Sequence, residues 1–125
     1  MIIGIGTDLV QINRVENVYN RQGERFSERI LTLVEQQLLK NNRHPVKFLA
    51  KRYAAKEAAA KALGTGIADG VSFQDFFIDH DNLGAPILRV TGRAAELAEQ
   101  KKIRGWHISI TDEKDYAMAM VIAEN

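Results

Sequence analysis

From Val46 to Leu63 the chain carries seven alanines and four lysines, with no internal glycine or proline, and then turns abruptly to Gly64-Thr65-Gly66. Alanine loses no side-chain entropy in a helix and lysine loses little, so the stretch predicts an uninterrupted helix of about five turns. Pro45 just before it suits a first helical turn, and Gly64 just after it suits a C-cap. The rest of the chain must fold around this rod.

The flanking patterns supply the other layer. Ile2 to Thr7 alternates isoleucine with glycine and predicts a short strand ending at Asp8. Gln11 to Gln22 holds Ile12, Val15, Val18 and Tyr19 at helical spacing. Phe26 to Leu31 predicts a short helical turn, and Thr32-Leu33-Val34-Glu35 has the form of a capping box opening a helix through Leu39. Val71 to Asp79 and Ile87 to Thr91 predict strands around a Gly84-Ala85-Pro86 turn, and Arg93 to Lys102 a short helix. Trp106 to Thr111 and Tyr116 to Ala123 predict a final hairpin. That order suggests an α+β fold in one domain over residues 1–125, with a mostly antiparallel sheet and the long helix packed on it.

Composition removes several classes. With 46% apolar and 26% charged residues the chain is neither disordered nor collagen-like, and no apolar run is long enough to span a membrane. The N-terminal apolar stretch is too short for a signal peptide. There is no cysteine, which excludes a disulfide scaffold, a thiolate metal site and a cysteine nucleophile. A cytoplasmic protein is the default expectation.

The formal net charge of +1 argues against a general nucleic-acid binder, but its distribution is uneven. Lys40 to Lys61 contains seven basic residues against the single acid Glu57, leaving ten basic and fifteen acidic residues elsewhere. A helical segment at +6 is a reasonable site for a phosphorylated ligand, although such charges also serve simply to solvate a helix. A lone acid in that field is a plausible Mg²⁺ ligand, because Mg²⁺ takes one or two carboxylates plus substrate phosphates. Spacing alone also allows Glu57 and Lys61 to be an i,i+4 surface pair. Asp8 is the best second carboxylate, with a helix N-cap as its competing role.

In the final hairpin His107, Ser109 and Thr111 alternate with Trp106, Ile108 and Ile110, so the three polar residues share one face. Ala117 and Ala119 opposite them are expected to leave space over that face. Arg14, Arg21 and Arg25, with Gln22 and Phe26 nearby, could dock an acidic helix, unless Glu16, Glu24 and Glu28 pair with them. Gly4-Ile5-Gly6 lacks the rest of a dinucleotide fingerprint, and the aromatic residues do not interleave with the basic segment as a nucleic-acid platform requires.

Gly4-Ile5-Gly6-Thr7-Asp8-Leu9-Val10, the run from Phe48 to Gly66 with its Lys56-Glu57-Ala58-Ala59-Ala60-Lys61 centre, Gly84-Ala85-Pro86 and His107 to Asp112 occur in this order. Together they resemble the short bacterial type of 4′-phosphopantetheinyl transferase, the holo-acyl-carrier-protein synthases. The resemblance implies that family's fold and its activity in fatty acid biosynthesis. Its members transfer the 4′-phosphopantetheine arm of coenzyme A to a serine of apo-acyl carrier protein, releasing adenosine 3′,5′-bisphosphate. It implies that Asp8 and Glu57 bind Mg²⁺ and that Lys61 lies near the transferring phosphate. Arg52, Lys61, Gly64, Pro86, His107, Ser109 and Thr111 are expected around coenzyme A, and Arg14, Arg21 and Arg25 against the carrier protein. It further implies a homotrimer with active sites between subunits, and neither nucleic acid nor membrane as partner. Asp112 departs from the pattern, because many members have a histidine there. The acceptor of the serine proton stays open among a metal-bound water, Asp8, Glu57 and another group. A non-catalytic module binding coenzyme A or a nucleotide is the alternative.

Overall fold

The computed structural model describes residues 1–125. The long helix, α4 (Pro45–Leu63), is its axis: twelve of its nineteen residues are buried, so it is covered nearly all round. It ends where the glycine demands, with Gly64 in the left-handed region at φ +93°. Before it come β1 (Ile2–Gln11), α1 (Ile12–Gln22), α2 (Glu24–Ile30) and α3 (Leu33–Lys40). After it come β2 (Phe76–His80), β3 (Pro86–Val90), α5 (Gly92–Gln100), β4 (Gly105–Asp112) and β5 (Tyr116–Glu124). The strands form two antiparallel sheets, a three-stranded one in the order β1-β5-β4 and a β2-β3 hairpin.

Two expectations change. β1 does not stop at Asp8, because its pairing with β5 continues to Gln11 opposite Tyr116, and Gln11 rather than Asp8 is the residue at the start of α1. The stretch from Val71 is not strand throughout: Ser72 and Asp75 cap each other around a single 3₁₀ turn, Phe73–Asp75, before β2 begins.

α4 lies on one face of the three-stranded sheet at unusually short range. A Cβ on Gly4 would stand 1.9 Å from the Ala62 carbonyl oxygen, and one on Gly6 1.9 Å from that of Ala58. Only glycine on the strand and alanine on the helix permit that approach. Ala117, Ala119, Val121 and Ala123 of β5 are buried on the same side.

The far side of α4 is held by charge. Glu35, which closes the Thr32 capping box, is fully buried. Its Oε1 accepts from Lys56 Nζ at 2.5 Å and from the Thr32 N–H at 2.9 Å. Its Oε2 accepts from Arg52 Nε at 3.2 Å and from the Ile78 N–H at 3.1 Å. Lys56 Nζ donates also to the Ile30 carbonyl at 2.7 Å. Burial holds both cations below their usual pKa, and Glu35 partly restores them. One carboxylate thus ties α3, α4 and β2 together, with every charge in the cluster partnered.

The backbone contact makes a comparison between glycines. Gly6→Ala is expected to cost about 3 kcal/mol or more, because strand or helix must move. Gly84→Ala meets nothing within 4 Å and faces only its φ of +89°, a cost of about 1 kcal/mol. Chemical denaturation of the two variants beside the wild type checks the order.

Candidate functional site

Because β1 runs on past Gly6, the next residue facing α4 is Asp8, and it meets the helix one turn above the glycine contact. Its side chain is only 16% exposed, and Oδ1 accepts from Lys61 Nζ at 3.3 Å. Lys61 also donates to the Thr7 carbonyl at 2.9 Å. Asp8 Oδ2 is buried with no hydrogen-bond partner. Glu57, one turn before Lys61 on the same stripe, is half-buried beside it.

The electrostatics record a crowded site. Burial raises the Asp8 pKa, and Lys61 only partly offsets this. Burial and then the Asp8 charge raise Glu57, with relief from Lys61 and Arg29. Tyr53, a further turn back, is raised by burial and by both carboxylates. Its ring lies 5.5 Å from that of Phe73, and the Arg29 guanidinium sits 5.8 Å above Phe73. A cleft of about 310 Å³ opens from Asp8 along α1, with Arg14, Val15, Phe26 and Tyr53 in its wall.

An unpartnered carboxylate oxygen, out of water and beside a second carboxylate, is what a hard cation would relieve. No third His, Cys, Asp or Glu joins the pair. Two carboxylates with the remaining positions left to substrate oxygens suit Mg²⁺ better than a metal that needs a full protein cage. The residues therefore fit the divalent cation that the sequence implied.

The other expected residues lie elsewhere. Arg52 is 5% exposed; its charge is committed to Glu35, its NH2 group to the Ile78 carbonyl at 3.2 Å, and its guanidinium lies 4.2 Å over Phe48. The +6 segment is corrected accordingly: Arg52 and Lys56 serve the core, and Lys47 and Lys51 share Asp112 at 3.5 and 3.9 Å. Pro86 borders a cavity of about 170 Å³ with Lys51, Arg52 and Asp112. Gly64 is exposed at the end of α4, but its N–H and those of Thr65 and Gly66 all donate to the Ala60 carbonyl. They form a cap and not a phosphate cradle.

His107, Ser109 and Thr111 do share a face, and it is the wrong one for Asp8. In register, Ile110 lies opposite Ala119 and Asp8, whereas Ser109 lies opposite Met120 and Thr7. The polar triad thus points away from α4, and Ala117 and Ala119 open no space above it, because they face the helix. His107 Nε2 meets Glu124 Oε1 at 2.8 Å, which holds the Glu124 carboxyl below its usual range. Arg14, Arg21 and Arg25 are all exposed on α1 and α2. Arg29, not singled out from sequence, lies four residues beyond Arg25 on the same helix face; that spacing was the available signal.

A family described as the 4′-phosphopantetheinyl transferase superfamily matches residues 4–121. The holo-[acyl-carrier-protein] synthase of Vibrio cholerae is 56% identical over 124 residues, 99% of this chain and 98% of its own. The crystal structure of holo-[acyl-carrier-protein] synthase from Neisseria meningitidis superposes with a TM-score of 0.93 at 44% identity, covering 100% of both chains. The Helicobacter pylori holo-[acyl-carrier-protein] synthase, solved in complex with coenzyme A, gives 0.83 at 32% identity, over 96% of this chain and 99% of that one.

The raised carboxyl pKa values have a signed consequence for the metal-free protein. A raised carboxyl binds more protons folded than unfolded, so its contribution to stability is largest at low pH. It is lost as pH rises from the ordinary carboxylate value of about 4 through the raised folded value. Glu57→Gln should therefore raise the thermal midpoint at pH 7 and flatten the pH dependence above about pH 4. Calorimetric scans from pH 4 to 8 in a chelator check both effects.

Proposed function

The chain belongs to the 4′-phosphopantetheinyl transferase superfamily, and from that premise we propose that it moves the 4′-phosphopantetheine arm of coenzyme A onto a serine of apo-acyl carrier protein, in the service of fatty acid synthesis. The observation that carries this reading is the group of Asp8, Glu57 and Lys61, with one Asp8 oxygen buried and unpartnered.

In the transfer the serine hydroxyl oxygen attacks the phosphorus that bears the pantetheine. A new O–P bond forms, the P–O bond within the diphosphate breaks, and adenosine 3′,5′-bisphosphate leaves with the bond electrons. Such a reaction asks the protein mainly for positioning and charge. Lys61, already drawn toward Asp8, places an ammonium where the transferring phosphate is negative. The serine proton passes to a carboxylate oxygen of Asp8 or Glu57 or to water in the cleft, and these two carboxylates are the residues that would hold Mg²⁺. When bound, Mg²⁺ supplies charge neutralisation to the diphosphate. The cleft beside Asp8 gives the acceptor serine a way in. Arg14 in its wall, with Arg21 and Arg25 exposed on α1 and α2, suits an acidic carrier, whose binding should weaken with salt. Coenzyme A as co-substrate is supported by the complex of the Helicobacter pylori relative.

A homotrimer with sites between subunits belongs to the same proposal. Ile5, Leu9, Met118 and Met120 are exposed on the sheet face away from α4, a patch of the kind that marks an interface. His107, Ser109 and Thr111 stand on that face too, so a neighbouring copy could bring them to another copy's Asp8 and Glu57. No helix is long and apolar enough to cross a membrane, and the cytoplasm is the compartment proposed.

Incubation of apo-carrier protein with coenzyme A, Mg²⁺ and the enzyme should add the mass of one phosphopantetheine arm. An unchanged mass, with the carrier competent toward another transferase, would count against the reading. Glu57→Gln should fold and lose about two to three orders of magnitude in kcat. Light scattering should report three copies, and a monomer would remove the intersubunit site.

A further inference from the structure

Tyr53, Glu57 and Lys61 lie on one stripe of α4, and Gly64, which ends the helix three residues later, has no side chain to contribute. The position is filled from elsewhere in the chain. Lys101, the C-cap residue of α5, directs its ammonium to the Leu63 carbonyl. A Cβ on Gly64 would stand 2.6 Å from Lys101 Nζ. The ammonium therefore sits at the C-terminal end of α4, against the backbone of residue 64, three residues on from Lys61.

The chemistry of that place makes the cation informative. The C-terminal end of a helix carries about half a negative charge, and so repels anions. The N–H groups of Gly64, Thr65 and Gly66 are consumed by the Ala60 carbonyl, so these three offer an anion no main-chain donor. Lys101 is exposed, and its hydrogen-bond acceptor is a main-chain carbonyl rather than a carboxylate. It cancels the helix-end charge and still has two N–H donors for an incoming ligand. Lys61, which reaches Asp8, and Lys101, which caps the same helix end, are two exposed ammonium groups at the last turn of α4, a pair that suits a ligand with more than one phosphate.

We propose that Lys101 binds a phosphate of coenzyme A other than the one transferred, an inference that rests on the function proposed above. Lys61, beside Asp8, attends the phosphorus that changes partners. Lys101, a turn farther along, takes the next anionic group, either the second phosphate of the diphosphate or the 3′-phosphate.

The test compares wild type, Lys101→Met and Lys101→Arg in steady-state kinetics with coenzyme A and with dephospho-coenzyme A. Calorimetric binding of coenzyme A without Mg²⁺ and thermal midpoints accompany the kinetics. Lys101→Met should raise KM for coenzyme A about five- to tenfold, as loss of one exposed charge-assisted hydrogen bond would. Its kcat and its KM for the carrier should stay within about twofold of wild type, the pattern of lost uniform binding, and Lys101→Arg should recover most of the loss. Weakening toward both nucleotides supports a contact to the diphosphate, and weakening toward coenzyme A alone supports one to the 3′-phosphate. If Lys101→Met lowers only the thermal midpoint and binds coenzyme A as wild type does, Lys101 is a helix cap and the inference is overturned alone. A wild-type chain that neither binds coenzyme A nor turns over overturns the proposed function, and this inference with it.

Discussion

The backbone of β1 touches the backbone of α4, and most of what distinguishes this chain follows from that contact. Gly4 and Gly6 stand against Ala62 and Ala58 with no room for a Cβ between them. At such range a side chain on the strand can avoid the helix only by lying beyond the glycines, and Asp8 is the first that does so on this face. It arrives already desolvated, close to Glu57 and Lys61, because the elements that carry them are as near as two elements can be. The raised carboxyl pKa values and the unpartnered oxygen are thus products of packing. The same alanines that make the helix stable in isolation make the site electrostatically tense.

The opposite side of α4 solves a related problem with different chemistry. Glu35 draws Lys56 and Arg52 inward, and a buried carboxylate with four partners is costly to disturb. Lys56 immediately precedes Glu57, so fixing one toward the core fixes the other toward β1. The glycine contact sets how close the helix comes, and the Glu35 cluster sets how far it is turned. Distance and rotation together determine where Glu57 and Lys61 stand, so residues remote from the cleft belong to its construction.

Much of the fold was legible in the sequence, because the signals were local. The alanine run, the Gly64 cap, the Thr32–Glu35 capping box and the alternation of the final hairpin each appear where local propensity puts them. The grouping of Asp8, Glu57 and Lys61 was legible, and the surroundings of the other candidate residues less so. Counting charges from Lys40 to Lys61 could not reveal that Arg52 and Lys56 point into the core, since their partner Glu35 lies on another helix. Alternation in β4 shows that His107, Ser109 and Thr111 share a face, but parity alone does not say which face meets α4. The alanines of β5 decide that, and they send the polar triad outward. Lys101 was invisible for the same reason: its meaning depends on an absent side chain 37 positions earlier, at Gly64.

That outward triad changes what a complete site must be. The sheet is a wall between two chemistries, carboxylates and Lys61 on the helix side, and imidazole and hydroxyl groups on the other. No side-chain rearrangement carries a residue through a paired strand, because shifting to the opposite face requires a change of register along the whole ladder. If both sets serve one ligand, they must come from different copies of the chain. The open face is already suited to that, since it exposes isoleucine, leucine and methionine beside the polar triad. Covering the apolar side chains would remove them from water in the same step that gives His107, Ser109 and Thr111 a partner cleft. Association and completion of the site would then draw on one surface, with the hydrophobic part supplying affinity and the polar part supplying its chemical purpose.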